Sequence, residues 1–136
     1  MNLVQAMNIA SFGMKAQGTR LRVISENLAN ANSEAPAPGT DPYRRKIVTF
    51  KNQLDRAMGA NLVQVNRVRL DESDFELRHD PNHPHADTNG YVRMPNVKPI
   101  IEMMDMREAQ RSYEANLSVI ETSRSMLQRT ADMLRA

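Results

Sequence analysis

Apolar positions recur every three or four residues at both ends of the chain and lose that period in the middle. Near the N-terminus Leu3, Met7, Ala10, Met14, Gln17, Leu21, Ile24 and Leu28 alternate steps of four and three, a heptad seam with one polar member. Near the C-terminus the series is Met103, Met106, Gln110, Tyr113, Leu117, Ile120, Arg124, Leu127, Ala131 and Leu134, with Gln110 and Arg124 polar. Proline agrees with this division. All seven prolines lie between Pro36 and Pro99, and proline breaks helix interiors. The pattern predicts a mainly α fold with a small β-rich insert: an N-terminal helix within residues 1–32, a central loop and β-rich segment over 33–97, and a C-terminal helix within 98–136.

Residues 3–29 would form a helix about 40 Å long. Gly13 and Gly18 each cost about 1 kcal/mol against alanine in its interior, so it needs a packing partner. Asn30 and Asn32 are stop residues able to adopt the left-handed conformation. The second helix would start near Asn96 or Pro99, Asn96 serving as a cap. Glu102 and Asp105 near its start, and Arg129 and Arg135 near its end, suit the helix dipole. Glu108/Arg111, Glu121/Arg124 and Asp132/Arg135 have the spacing of i,i+3 ion pairs.

In the middle, Ile47–Phe50 reads as a short strand or the start of a helical turn. Leu62–Leu70 is rich in β-branched residues, and its apolar phase changes between Val63/Val65 and Val68/Leu70. That predicts a strand with a bulge near Asn66 and Arg67, to which Phe75–Leu77 would pair. Asn89-Gly90 is a turn signal.

Composition narrows the chemistry. The 136 residues carry 18 basic and 16 acidic side chains, a net charge of +2, too balanced and too dispersed to mark a nucleic-acid binder. Arg44, Arg45 and Lys46 form the one basic run, which reads as solvated surface; so do Asp71, Glu72, Asp74 and Glu76. Without cysteine there are no disulfides or thiolate metal sites. The first ten residues lack the charged and apolar regions of a secretory signal, and no stretch approaches the ~20 apolar residues of a spanning helix. There is no nucleophile elbow and no phosphate-binding loop; no catalytic, cofactor or metal site is expected. His79, His83 and His85, with Asp80 and Asp87, stay open to three readings: a polar proline-stiffened loop, a metal site, or a pH-sensitive contact. Pro81 and Pro84 forbid the helix that would align His79 with His83. From periodicity alone, the seams pack either on each other or on other subunits.

Several segments carry a resemblance. Residues 25–32 read Ser-Glu-Asn-Leu-Ala-Asn-Ala-Asn, preceded by Asn8-Ile9-Ala10 and Met14-Lys15-Ala16-Gln17. Tyr43-Arg44-Arg45-Lys46 and Phe50 follow, then His79–Pro84, Ala86–Val92 and Met94-Pro95-Asn96-Val97. Glu102–Met106 and Arg111–Asn116 complete the set. Together these resemble the flagellar rod and hook axial proteins, closest to the proximal-rod branch, over nearly the whole chain. The chain departs from them in an Ala/Pro insert over Ser33–Pro42 and in His85, where an acid is expected. The resemblance implies a structural subunit of the basal-body rod in the periplasm, exported by the flagellar type III apparatus without a cleaved signal peptide. It implies as partners further copies of the chain, other rod proteins, the rod–ring junction protein FliE and the membrane-supramembrane ring. The subunit interface would comprise Leu3, Met7, Met14, Leu21, Ile24, Leu28, Met106, Tyr113, Leu117, Ile120, Leu127 and Leu134. Helices this weak would remain largely disordered until assembly orders them. The competing readings are a cytoplasmic helical adaptor or export chaperone, and a metal-dependent enzyme built on the histidine loop.

Overall fold

In the computed structural model, which describes residues 2–135, two long helices enclose a β-rich middle. Helix α1 spans Leu3–Ala29 and helix α2 spans Pro99–Arg135. The Asn2 side chain caps α1 by accepting from the Gln5 N–H at 2.7 Å. The helix ends at Asn30, whose side chain donates back to the Glu26 carbonyl at 2.8 Å. Its φ of −102° is not left-handed, so this stop works through the side chain and not through the expected conformation.

The helices run antiparallel and in close contact. A Cβ on Gly13 would meet the Asn116 amide at 2.9 Å, so glycine sets their separation there. Around Gly18 there is nothing within 4 Å. The two glycines therefore respond differently to alanine. Gly18→Ala is expected to raise the unfolding free energy by about 1 kcal/mol through helix propensity. Gly13→Ala carries the same propensity gain but must displace the Asn116 side chain, so its net effect is expected to fall below that of Gly18→Ala. Thermal unfolding of the two variants checks the contrast.

Strand β1 (Lys46–Asp55) pairs antiparallel with β2 (Ala60–Leu70) in a long hairpin. Register shifts between Thr49, opposite Arg67, and Phe50, opposite Val65. Asn66 is thus the extra residue, a bulge where the phase change puts it. The bulge also places Val63, Val65, Val68 and Leu70 on one face, since each side of it alternates separately. Gly59 turns the hairpin at a positive φ of 59°. The hairpin lies along α1, and the Gln5 side chain donates to the Met58 carbonyl at its tip, 2.7 Å away. Leu62, 1 % exposed, anchors this packing.

Strand β3 (Glu76–His79) pairs with β4 (Tyr91–Met94), and not with β2 as expected for Phe75–Leu77. The reason is local. Gly90 (φ 80°) and Asp87, whose carboxylate accepts the Asn89 and Tyr91 N–H groups, fold the intervening loop back on itself.

Helix α2 starts at Pro99, and Asn96 does not cap it. Asn96 instead accepts the Arg45 N–H at 2.7 Å and donates to the Asp71 and Ser73 carbonyls. The expected i,i+3 ion pairs along α2 are absent among the described residues; Arg20 of α1 draws Asp105 (3.5 Å) and Glu108 (3.8 Å) across the helix interface. Buried apolar side chains are small or few: Ala10, Ala16, Val23, Ile24, Ala31, Ala35, Leu62, Val92, Val97 and Ala109. Two of the four largest fully buried residues, Glu102 and Asn27, are polar.

Candidate assembly interface and its polar anchor

The residues that α2 turns to α1 are Glu102, Ala109, Asn116 and Ser123, at seven-residue spacing. This buried line runs one residue ahead of the apolar seam expected from Met103, Gln110, Leu117 and Arg124. Close approach selects small or hydrogen-bonding side chains, so the large apolar ones are left outside. Met103 is 49 % exposed, Leu117 39 % and Leu134 84 %, and Met104, Val119, Met126, Leu127 and Met133 are also exposed. Met106, Tyr113 and Ile120 are half-buried on the flank of the contact. On α1, Ile24 is buried, and Leu3, Met7, Met14, Leu21 and Leu28 are half-buried. Beyond Leu127, which sits beside Leu3 and Val4, α2 runs past the start of α1 and every residue through Arg135 is exposed. Among the described residues nothing covers that overhang of about two turns.

A polar junction holds the other end of the helix pair. Asn27, 1 % exposed, donates through Nδ2 to the Lys46 carbonyl (2.9 Å) and to Glu102 Oε2 (3.1 Å). Its Oδ1 accepts the Tyr43 hydroxyl and the Lys46 N–H, both at 2.9 Å. Arg45 Nε donates to Glu102 Oε1 at 2.6 Å, and the rest of its guanidinium reaches Asp71 (3.4 Å) and Asp105 (3.6 Å). One cluster thereby ties the end of α1, both outer ends of the hairpin and the first turn of α2. Lys46 closes it with an ion pair to Glu26 at 2.8 Å. The basic run and Asp71 are therefore joints and not solvated surface. Arg44 completes the correction, lying over the Phe75 ring at 4.2 Å.

The electrostatics follow from these contacts. The Lys46 hydrogen bond holds the Glu26 carboxyl below its ordinary 4.5, and the same bond raises Lys46 above 10.5. The Ser73 backbone N–H lowers Asp71 below 3.8. Burial raises Tyr43 above 10.0. Burial also opposes the charge on Arg45, but its hydrogen bonds to Glu102 and Asp71 outweigh it and the pKa is raised. A carboxylate with a depressed pKa contributes stability above its unfolded value, which is lost as pH falls through the folded value. Lys46 and Tyr43, with raised pKa values, contribute stability below 10, lost as pH rises through their folded values. Through these groups the unfolding midpoint is expected to fall as pH drops below about 4 and as it rises above about 10. Denaturant titrations across pH test this, and Glu26→Gln is expected to soften the acid side.

The histidines are held by different neighbours. His83 Nε2 lies 2.8 Å from Glu34, which also pairs with Arg78 at 2.7 Å, and Arg93 reaches Asp41 at 3.1 Å. These contacts pin the Ser33–Pro42 insert onto the β3–β4 sheet. His79 packs edge-on against Tyr91, with ring centroids 5.0 Å apart. No group of three or more His, Asp or Glu side chains poised to hold a metal occurs among the described residues. Among them too, no helix is long and apolar enough to cross a membrane.

Comparison with known proteins places the chain. Residues 7–34 match the family described as "Flagella basal body rod protein", and residues 88–133 match "Flagellar basal body rod FlgEFG protein C-terminal". Both ends thus have the character of flagellar rod proteins. The flagellar basal-body rod protein FlgC of Agrobacterium fabrum strain C58 is 52 % identical, over 98 % of this chain and 96 % of its own. The FlgC proteins of Salmonella typhimurium strain LT2 and Bacillus subtilis strain 168 are 42 % and 34 % identical, with at least 96 % of both chains covered in each case. The chain belongs to the FlgC family of flagellar basal-body rod proteins.

The segments that carry the family resemblance supply the junction. Asn27 lies in the Ser25–Asn32 motif, Tyr43, Arg45 and Lys46 in the Tyr43–Lys46 segment, and Asn96 and Glu102 in the motifs that open α2. None of these six was expected to form a cluster. The available signal was the position of Asn27, which follows Ile24 by three and Val23 by four and so points inward with them.

Proposed function

We propose that the chain is a structural subunit of the flagellar basal-body rod that polymerises through its terminal helices, so that the assembled shaft transmits torque. The observation that carries this reading is the set of large apolar side chains of α2 left in solvent by the intramolecular contact: Met103 and Met104 near its start, Leu117 and Val119 in its middle, and Met126, Leu127, Met133 and Leu134 toward its end. Groups of exposed large apolar side chains mark surfaces that a partner covers. Leu3, Met7, Met14, Leu21, Ile24 and Leu28 of α1, and Met106, Tyr113, Leu117, Ile120, Leu127 and Leu134 of α2, are the residues assigned to subunit contacts, with the middle segment facing outward. Its partners are copies of itself and other rod proteins. Toward the membrane they are FliE and the membrane-supramembrane ring, reached after export through the flagellar type III apparatus without a cleaved signal.

The thin core suits this role. The helix pair is anchored at the Asn27–Arg45–Glu102 junction, and its far end, with the α2 overhang, is completed by neighbours. Incomplete order before assembly lets the chain pass an export channel, and burial in the rod then offsets the ordering entropy. Hydrogen exchange on the monomer should show protection falling from the junction toward Leu3 and Arg135; uniform strong protection would contradict folding on assembly. Electron microscopy of basal bodies from a strain lacking the chain tests the reading as a whole. Membrane rings without rod or hook are the expected result. Complete rods and hooks would overturn it in favour of an adaptor or chaperone role.

A further inference from the structure

Helix α1 turns Gly13, Arg20 and Asn27 to α2, and Gln5, Phe12, Ala16 and Thr19 to the hairpin, with Lys15 exposed at the hairpin's border, beside Val63–Val65. At about 100° per residue, the arc left over carries Ser11, Lys15, Gly18 and Arg22. On α2, the arc turned away from α1 carries Glu114, Ser118, Glu121 and Ser125. Ser11, Lys15, Arg22, Glu114, Ser118 and Glu121 are exposed, and Gly18 and Ser125 are half-exposed. Among the described residues none of these four charges has an opposite charge within ion-pair distance.

The two arcs are complementary. Both have steps of four, three and four. Set antiparallel, they place Ser11 against Ser125, Lys15 against Glu121, Gly18 against Ser118 and Arg22 against Glu114. Small meets small at two positions and opposite charges meet at the other two. The open space around Gly18 lets a second helix approach as closely there as α2 does at Gly13.

We infer that in the polymer α2 of one copy lies on the outer arc of α1 of the next copy, in this register. The inference rests on the rod reading and adds to it a lateral contact apart from the apolar seams. Because α1 and α2 already run antiparallel within a chain, this contact keeps every copy pointing the same way. It is heterologous, using different surfaces on the two copies, so it propagates. It also fixes a stagger. Gly13 beside Asn116 puts Ser118 level with Ser11 of its own chain, whereas in the contact it is level with Gly18 of the neighbour. Adjacent copies are therefore displaced by seven residues, about 10 Å along the axis, which gives a spiral and not a flat ring.

The chain has no cysteine, which makes the test clean. Gly18→Cys and Ser118→Cys copies are expressed together in a strain lacking the native chain, and isolated basal bodies are oxidised. A disulfide-linked dimer from the mixture, and none from either variant alone, is expected. A rod containing both variants but no cross-linked dimer would overturn the lateral contact and leave the rod reading standing. Absence of the native chain from basal bodies would overturn both. Charge reversal gives a second test: Lys15→Glu should reduce motility, and Glu121→Lys in the same chain should restore it. Failure of the second change to restore motility would count against the register.

Discussion

Glu102→Ala is expected to lower the unfolding free energy by about 3–5 kcal/mol, a large share of the about 5–15 kcal/mol typical of a folded domain. Glu102 is 1 % exposed and meets both the Arg45 guanidinium and the Asn27 amide. Removing it leaves Arg45 partly buried with only longer contacts to Asp71 and Asp105, and leaves one Asn27 N–H without its acceptor. The loss comes from these abandoned partners more than from the pair's own strength. Replacing both members, Arg45→Met with Glu102→Leu, is therefore expected to cost much less than the single change. Urea unfolding followed by far-UV circular dichroism distinguishes the outcomes. A double variant as unstable as Glu102→Ala would mean that the junction acts through something other than charge satisfaction. Because the cluster joins α1, the hairpin and α2, the single change should also loosen the helix pair from the hairpin in hydrogen exchange.

Leu117→Asp is expected to leave the isolated chain within about 0.5 kcal/mol of its native stability and yet to abolish motility. Leu117 is 39 % exposed and lies one residue past the buried line at Asn116, so the monomer loses little by the change. In a polymer whose subunits cover this face, the carboxylate would be buried without a partner, and it would recur in every copy. Leu21→Asp on α1 should block motility as well, but with a measurable loss of monomer stability, since Leu21 is half-buried. Normal motility in both variants would remove these residues from the interface. The separation between stability and motility at Leu117 is the informative part, because a merely misfolded variant would lose both together.

Much of the fold was legible from local patterns. Proline confined to the middle and heptads at the ends identify the two helices, and α1 runs over the residues its seam marks. The phase change in Leu62–Leu70 locates the bulge at Asn66. What escaped is long-range. Asn27 and Glu102 are 75 residues apart and Arg45 and Glu102 are 57 apart. A basic triplet and a first-turn glutamate each have an adequate local explanation, as solvated surface and as a dipole partner. Nothing local reveals that they meet. The face that α2 turns to α1 was not legible for a different reason. A heptad pattern marks where apolar side chains lie, but a close two-helix contact buries small ones, here Ala109 and Ser123. The large apolar side chains of α2 consequently lie outside the intramolecular contact, and the candidate interface residues split: Ile24 is buried within the chain, while Leu117, Leu127 and Leu134 remain in solvent.

In the assembled rod, neighbouring subunits are expected to cover the outer face of α2. The most direct measurement is thiol labelling of Met103→Cys and Leu117→Cys with a maleimide, in the purified monomer and in isolated basal bodies. Fast labelling in the monomer and strong protection in basal bodies is the predicted result. Equal labelling in both would mean that this face stays in solvent in the assembled rod, contradicting the account.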